Sequence, residues 1–173
     1  MSLEELIRKH TYQVENGRWD ICPIYRDRES IKQLVTYLAQ PFAGRVDYVA
    51  APEPLGFILG SMVADELGVG FIPIRNGFID RVPEEDAIRS NYIDHNDRPR
   101  ALQVRRSNLP EGSRILLVDD WIQTAATMQC CLSILEDADA ELIGIASLGA
   151  EYNDATQRMF DTGLLHCVMT IYK

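Results

Sequence analysis

Two adjacent carboxylates, Asp119 and Asp120, follow an apolar run at residues 115–118. Neighbouring carboxylates can accept hydrogen bonds from the two hydroxyls of a vicinal diol. Thr124 and Thr127 stand a few residues further on, where a helix is predicted to begin. A helix N-terminus offers free backbone N–H groups and the positive end of its dipole to a phosphate, and threonine hydroxyls add donors. The segment therefore predicts a site for a sugar phosphate with free hydroxyls.

The elements that must position these groups alternate between strand and helix. The predicted fold is α/β, with a mostly parallel central sheet flanked by helices, and ligands of such a sheet bind beyond the carboxyl ends of its strands. We predict strands over 46–51, 69–75, 114–118, 141–148 and 166–171, and helices over 2–10, 31–38, 57–67, 124–136 and 154–160, the last with a cap formed by Asp154 and Gln157.

The stretch at residues 76–108 differs from the rest of the chain. It is polar and shows only weak strand patterns, at 92–93 and 101–104. A long stretch of this kind inside a compact domain is more typical of a functional lid than of a linker. We therefore expect residues 1–173 to form a single domain with a flexible lid.

Length, composition and charge exclude several classes of protein. The chain has 173 residues, of which 46% are hydrophobic and 25% charged, as in a globular protein with a buried core. Its net charge of −9 argues against nucleic-acid binding, which needs basic surface. We find neither a run of about 20 apolar residues for a membrane helix nor a signal peptide.

The cysteines and histidines indicate a reducing compartment and form no metal-ligand pattern. Four cysteines occur without C-x-x-C spacing, and three histidines lie far apart. We expect free thiols and a cytoplasmic protein.

Two other interpretations of the paired acids need to be weighed. Asp120 or Thr124 could serve only as a helix cap. A two-component receiver domain also has an apolar strand that ends in two acids. In a receiver, however, that pair lies near the N-terminus with a lysine well downstream, whereas only Lys173 follows here.

Three segments together resemble type I phosphoribosyltransferases, most closely the adenine phosphoribosyltransferases. Residues 118–127 resemble the family's sugar-phosphate motif, an apolar strand followed by two acids and a Thr-Gly-Thr type turn. Residues 46–75 resemble its pyrophosphate loop, helix and next strand, and residues 21–27 resemble the loop that approaches the purine. The resemblance covers nearly the whole chain.

The resemblance implies a reaction in which a base nitrogen displaces pyrophosphate from C1′ of phosphoribosyl pyrophosphate, with Mg²⁺ on the pyrophosphate. It implies that Asp119 and Asp120 bind the ribose hydroxyls and contact the metal indirectly, through substrate and water. It further implies a homodimer and a small hood, made by residues 1–28 and C-terminal pieces. The remaining expected substrate contacts are Thr124, Ala125, Ala126 and Thr127 for the 5-phosphate, Glu53, Leu55 and Gly56 in the pyrophosphate loop, Arg75 near the pyrophosphate, and Trp19 in the purine loop.

The sequence departs from the family at four places. Leu55 stands where the adenine enzymes have an arginine, so a cation is missing beside the leaving group. No lid glutamate aligns with the family's catalytic one, and Asp94 or Asp97 could take its role. Ala125 replaces a glycine, which we expect to be tolerated only at negative φ. Trp19 could stack on the base or fill the core of the hood.

We predict a purine phosphoribosyltransferase of purine salvage, with adenine as the first choice of base. One alternative is a non-catalytic regulator that senses phosphoribosyl pyrophosphate or a nucleotide. Another is the same reaction with xanthine, hypoxanthine or another base.

Overall fold

The computed structural model describes residues 2–14, 19–77, 82–93 and 98–172. The strands are β1 (Tyr12–Gln13), β2 (Trp19–Asp20), β3 (Tyr48–Pro52), β4 (Gly70–Asn76), β5 (Ala87–Ile93), β6 (Pro99–Arg105), β7 (Arg114–Ile122), β8 (Glu141–Tyr152) and β9 (Leu165–Tyr172). The helices are α1 (Leu3–Arg8), α2 (Arg28–Ala39), α3 (Leu55–Leu67), α4 (Ala126–Asp137) and α5 (Gln157–Asp161).

A seven-stranded sheet in the order β5-β6-β4-β3-β7-β8-β9 forms the centre of the described chain. Strands β4, β3, β7, β8 and β9 run parallel, while β6 pairs antiparallel with β4, and β5 with β6. The short strands β1 and β2 form a separate antiparallel pair. The prediction of a mostly parallel sheet flanked by helices is confirmed.

Helices cover both faces of the sheet, since the central strands carry apolar side chains on both faces and these must be buried. In β7, Leu116 and Val118 pack into the core beneath α1, α2 and α3, while Ile115 and Leu117 pack into the core beneath α4. A continuous apolar run is typical of a strand buried on both faces. Both cores therefore fix β7, the strand that carries the paired acids.

Local signals account for several element ends. The Ser2 hydroxyl accepts from the N–H of Glu5 while the Glu5 carboxylate accepts from the N–H of Ser2, a capping box that starts α1. Helix α3 ends at Gly68, whose φ of 69° is in the left-handed region that glycine adopts without strain.

Several predicted boundaries are wrong: β8 continues to Tyr152 instead of ending at 148, and α2 begins at Arg28 instead of 31. The boundaries of β7 and α5 are wrong as well. Strand β7 does not end at the acids but continues to Ile122, because its last residues still pair with β8. Asp154 does not cap α5, which begins at Gln157. Instead, the Asn153 side chain accepts hydrogen bonds from the backbone N–H groups of Ala155 and Thr156 and shapes the preceding turn.

The stretch expected to be a lid contains more regular structure than its polar composition indicated. Strands β5 and β6 pair along their whole lengths, and β6 joins the sheet at the end of β4 through two register pairs. The predicted acids Asp94 and Asp97 lie outside the described residues.

Candidate functional site

A cavity of about 440 Å³ opens at the carboxyl ends of β3 and β7, beside the N-terminus of α4. The predicted residues that line it are Asp119, Asp120, Thr124, Ala125, Ala126, Thr127, Glu53, Leu55 and Trp19. Further lining residues include Val14, Asp20, Tyr92, Trp121 and Gln123. The fold thus brings most of the predicted site to one place, at the sheet edge where parallel folds bind ligands.

The two acids differ sharply in environment. Asp119 is 7% exposed, whereas Asp120 is half-buried. The Asp119 Oδ1 atom accepts a hydrogen bond of 2.9 Å from the backbone N–H of Asp120. Gly56 lies behind it, and a Cβ there would be 3.2 Å from Asp119 Oδ1. Gly56 therefore contributes by leaving room for the Asp119 carboxyl.

Burial raises the pKa of Asp119 well above its usual range, and the negative charge of Asp120 raises it further. A buried carboxylate that lacks water gains most from new hydrogen-bond donors. Substrate hydroxyls would supply such donors, so ligand binding would stabilise the charged form of Asp119.

We expect Asp119→Asn to increase the free energy of unfolding at pH 7.5. Folding raises the pKa of Asp119, so above the unfolded pKa the native state holds more protons than the unfolded state. The free energy of unfolding of the parent therefore falls as pH rises from the unfolded pKa to the folded one. The Asn variant is free of this loss, so its advantage should shrink as pH is lowered toward about 4. Urea unfolding of both proteins across this range measures the effect. An Asn variant that is no more stable than the parent at pH 7.5 contradicts it.

The phosphate loop, residues 124–127, connects β7 to α4. The N-cap of α4 is Ala125, and no side-chain hydrogen bond caps this helix among the described residues. The N–H groups of the first turn are therefore available to an anion. Thr124 is exposed and Thr127 is half-buried at the same end of the helix. The arrangement suits a phosphate, as the sequence predicted.

The expectation of negative φ at Ala125 is wrong. Ala125 has φ of 59° and ψ of 0°, in the left-handed region, because the chain must turn sharply between the end of β7 and α4. A Cβ in this region costs about 1–2 kcal/mol. The alanine therefore stores strain at a position where the resembling family has glycine.

We expect Ala125→Gly to raise the free energy of unfolding by about 1 kcal/mol, because glycine removes the steric cost. The matched control is Ala126→Gly, one residue later in the first turn of α4, where glycine should lower stability by up to about 1 kcal/mol. Denaturant melts of both variants decide the point. Equal losses of stability in both variants would mean that Ala125 is not strained.

The pyrophosphate loop, residues 53–56, follows β3. Glu53 is held by two hydrogen bonds: its N–H donates to the Ile74 carbonyl, and its Oε2 accepts from the Asn76 N–H, both at 3.0 Å. Helix α3 begins at Leu55 without a side-chain cap among the described residues. A second helix N-terminus therefore borders the cavity.

Arg75 is not among the residues that line the cavity. It lies on β4 in register with Gln103 of β6. Its Nε atom is buried and makes no hydrogen bond within the described part of the chain. Its role beside pyrophosphate stays a prediction.

Two tryptophans form one wall of the cavity. The rings of Trp19 and Trp121 stack with centroids 5.3 Å apart and an interplanar angle of 29°. A Cβ at Gly149 would overlap the Trp121 ring, so glycine is required for the ring to lie against β8. Trp19 packs against the core and also lines the cavity. Its stacking on a base stays a prediction.

The sequence analysis does not single out Trp121 and Tyr92, which also line the cavity. The position of Trp121 directly after the paired acids is a signal that could have found it. Tyr92 reaches the cavity from β5, and only the pairing of the hairpin brings it there.

Comparison with protein families gives a match to the phosphoribosyl transferase domain over residues 26–162. The adenine phosphoribosyltransferase of Rhodopirellula baltica is 35% identical over 130 residues, which is 75% of this chain and 61% of that protein. That of Dichelobacter nodosus is 36% identical over 128 residues, 72% of this chain and 71% of its own. The chain therefore matches less than two thirds of the length of the Rhodopirellula baltica protein.

Solved structures show the same architecture. The adenine phosphoribosyltransferase from Thermoanaerobacter pseudethanolicus superposes with a TM-score of 0.85 at 25% identity, covering 98% of this chain and 100% of that one. The Giardia lamblia enzyme complexed with 9-deazaadenine also gives 0.85, at 19% identity, and covers 100% of this chain and 99% of its own. The latter likeness concerns the fold alone.

Proposed function

Because the chain belongs to the phosphoribosyl transferase family, we propose that it transfers the 5-phosphoribosyl group of phosphoribosyl pyrophosphate to adenine and releases pyrophosphate. One observation carries the proposal: a single cavity combines the paired acids, two uncapped helix N-termini and two stacked rings. The paired acids match a ribose diol, the two helix N-termini match the 5-phosphate and the pyrophosphate, and the stacked rings match an aromatic base. Curated relatives named adenine phosphoribosyltransferase support adenine as the base.

In this reaction a ring nitrogen of the base forms a bond to C1′ while the bond from C1′ to the pyrophosphate oxygen breaks. The electron pair of the broken bond leaves with pyrophosphate, and the base loses its ring proton. Positive charge develops on the ribose and negative charge on the leaving group. The chain must therefore stabilise opposite charges on the two sides of the sugar.

Each part of the cavity has a proposed task. Asp119 and Asp120 accept from the ribose hydroxyls and place negative charge near the developing cation. The phosphate loop anchors the 5-phosphate, and N–H groups at the start of α3, at Leu55 and Gly56, receive the pyrophosphate. The tryptophan rings and Tyr92 hold the base and keep water from competing for C1′. Asp94 is retained as the candidate for the base proton, and Arg75 as a cation near pyrophosphate.

The residues present fit Mg²⁺ that is carried mainly by substrate. The described residues contain no group of three or more His, Cys, Asp or Glu side chains placed to hold a metal. Mg²⁺ commonly binds through one or two carboxylates together with substrate phosphates and water. Asp119 and Asp120 would hold the metal indirectly, through oxygens of the substrate and through water molecules. When bound, Mg²⁺ neutralises charge on the pyrophosphate.

The chain's two tryptophans both line the cavity, so tryptophan emission, excited at wavelengths that tyrosine does not absorb, reports on this site. We expect adenosine monophosphate to change the emission, and phosphoribosyl pyrophosphate to compete with it because both carry a ribose 5-phosphate. Trp19→Phe and Trp121→Phe assign the signal to each ring. Adenosine monophosphate that binds in a calorimeter without changing the emission places the base elsewhere.

A second candidate function is a non-catalytic sensor of phosphoribosyl pyrophosphate or a nucleotide. Leu55 favours it, because an apolar side chain borders the cavity where the resembling enzymes have a cation. A sensor would bind the same ligands and form no product with any base.

A cytoplasmic homodimer completes the proposal. All four cysteines lie among the described residues and are free thiols, which favours a reducing compartment. None of the described helices is both long and apolar enough to cross a membrane. Ile58 and Met62, four residues apart on α3, are 41% and 36% exposed, which suits contact with a second copy. Sedimentation equilibrium tests the dimer.

A further inference from the structure

Gln103 is a buried polar side chain that does not line the cavity. It lies on β6 and is 1% exposed. Its Nε2 donates to the Asn76 carbonyl at 3.2 Å, and its Oε1 accepts from Arg89 Nη2, also at 3.2 Å. The amide thus connects strand β4, at its carboxyl end, to strand β5 of the hairpin.

The chemistry of the two partners fixes the orientation of this amide. A guanidinium can only donate, so the oxygen of Gln103 must face Arg89. A backbone carbonyl can only accept, so the NH₂ group must face Asn76. Glutamate would keep the first contact and lose the second, and leucine would lose both.

The Asn76 backbone continues the chain of contacts toward the cavity. Its N–H donates to Glu53 Oε2 at 3.0 Å, while its carbonyl accepts from Gln103. Glu53 opens the pyrophosphate loop. The loop, the end of β4 and the hairpin are therefore joined by consecutive hydrogen bonds that converge on Asn76.

The hairpin packs into the core through Ile88, Leu102 and Val104, while its backbone pairing with β4 is short. Only the pairs Arg75–Gln103 and Asn76–Leu102 register β4 with β6 in the described chain. The Gly77 N–H adds one bond of 2.8 Å to the Ala101 carbonyl. Because this backbone pairing is short, the hydrogen bond from the buried Gln103 amide adds directly to what positions Asn76.

We propose that Gln103 is a positioning residue for pyrophosphate binding. It holds Asn76 so that the Asn76 N–H fixes the Glu53 carboxylate, and with it the pyrophosphate loop. At its outer end, Arg89 Nη2 also contacts Glu84 Oε2 at 3.3 Å, on the hairpin side of this chain of contacts. The inference rests on the proposed function, because it assigns residues 53–56 to pyrophosphate.

Two measurements on Gln103→Leu and Gln103→Glu test this role. The first needs no ligand: hydrogen exchange of the Asn76 amide should become about tenfold faster in both variants. The second compares two ligands by calorimetry. Affinity for phosphoribosyl pyrophosphate should fall by about tenfold, while affinity for adenosine monophosphate, which has no pyrophosphate, stays within about twofold. Gln33→Leu on the exposed face of α2 is the matched control and should change neither.

Unchanged exchange at Asn76 overturns the proposal, and so do equal losses of affinity for both ligands, which indicate a general structural role. If the leucine variant does not fold, the nearly isosteric Gln103→Glu decides by the same criteria. A parent protein that binds neither ligand refutes the proposed function instead, and the exchange comparison alone then decides whether Gln103 positions Asn76.

Discussion

Replacing Asp119 and Asp120 together with alanine is expected to weaken binding of phosphoribosyl pyrophosphate by more than about tenfold, or about 1.4 kcal/mol. Hydrogen bonds to charged groups each contribute about 1.5–3 kcal/mol, and the double variant removes the acceptors for both ribose hydroxyls. Asp119 is also nearly buried. In the alanine variant, water therefore has little access to take the place of its carboxylate as a hydrogen-bond acceptor. Titration calorimetry in the presence of Mg²⁺ measures the loss.

The control for the Asp119 and Asp120 double variant is a second double variant, Asp65→Ala with Asp154→Ala. It removes the same charge from exposed positions, one on α3 and one before α5. We expect it to retain the parent affinity. Circular dichroism and a melt establish that the site variant is folded. A folded site variant with unchanged affinity would remove the acids from the ligand site.

Installing the missing cation, Leu55→Arg, is expected to accelerate adenine turnover by about 10²-fold. Leu55 is the first residue of α3 and lines the cavity, so a longer side chain at this position can reach the leaving group. Removal of one preorganised donor to developing negative charge typically costs about 10²–10³ in rate, so the reverse substitution should recover a similar factor. Steady-state kinetics with adenine and Mg²⁺ measure the gain.

Leu55→Met is the control, because it changes the shape of the side chain without adding charge. It should leave turnover close to the parent value. A folded arginine variant that is no faster than the methionine variant would mean that another group already balances the charge on pyrophosphate.

The parallel part of the fold was predictable because its signals are local. Residues 115–118 form a short, uninterrupted apolar run between polar segments, which is typical of a strand buried on both faces. Gly68 marks the end of α3 by its own conformational freedom. The paired acids then follow from chain order, since ligands bind at the carboxyl ends of such strands.

The remaining features depend on contacts between distant residues. Aspartates are poor strand residues, so the sequence predicts that β7 ends at the acids. The strand continues because Trp121 pairs with Gly149 of β8, a contact between distant parts of the chain. Glutamine is usually exposed, so the sequence gives no sign that Gln103 is buried. It is buried because β6 lies between β4 and β5 in the sheet. Ala125 gave the wrong sign of φ because the sharp turn before α4 overrides the preference of alanine.

The formation of nucleotide and pyrophosphate with each of several bases tests the central claim most directly. The protein is incubated with phosphoribosyl pyrophosphate, Mg²⁺ and one base at a time, and nucleotide and pyrophosphate are quantified by chromatography and phosphorus NMR. We expect equimolar adenosine monophosphate and pyrophosphate with adenine, at a higher rate than with hypoxanthine, xanthine or guanine. Tight binding of adenosine monophosphate without nucleotide formation from any base would contradict the account and identify the protein as a sensor.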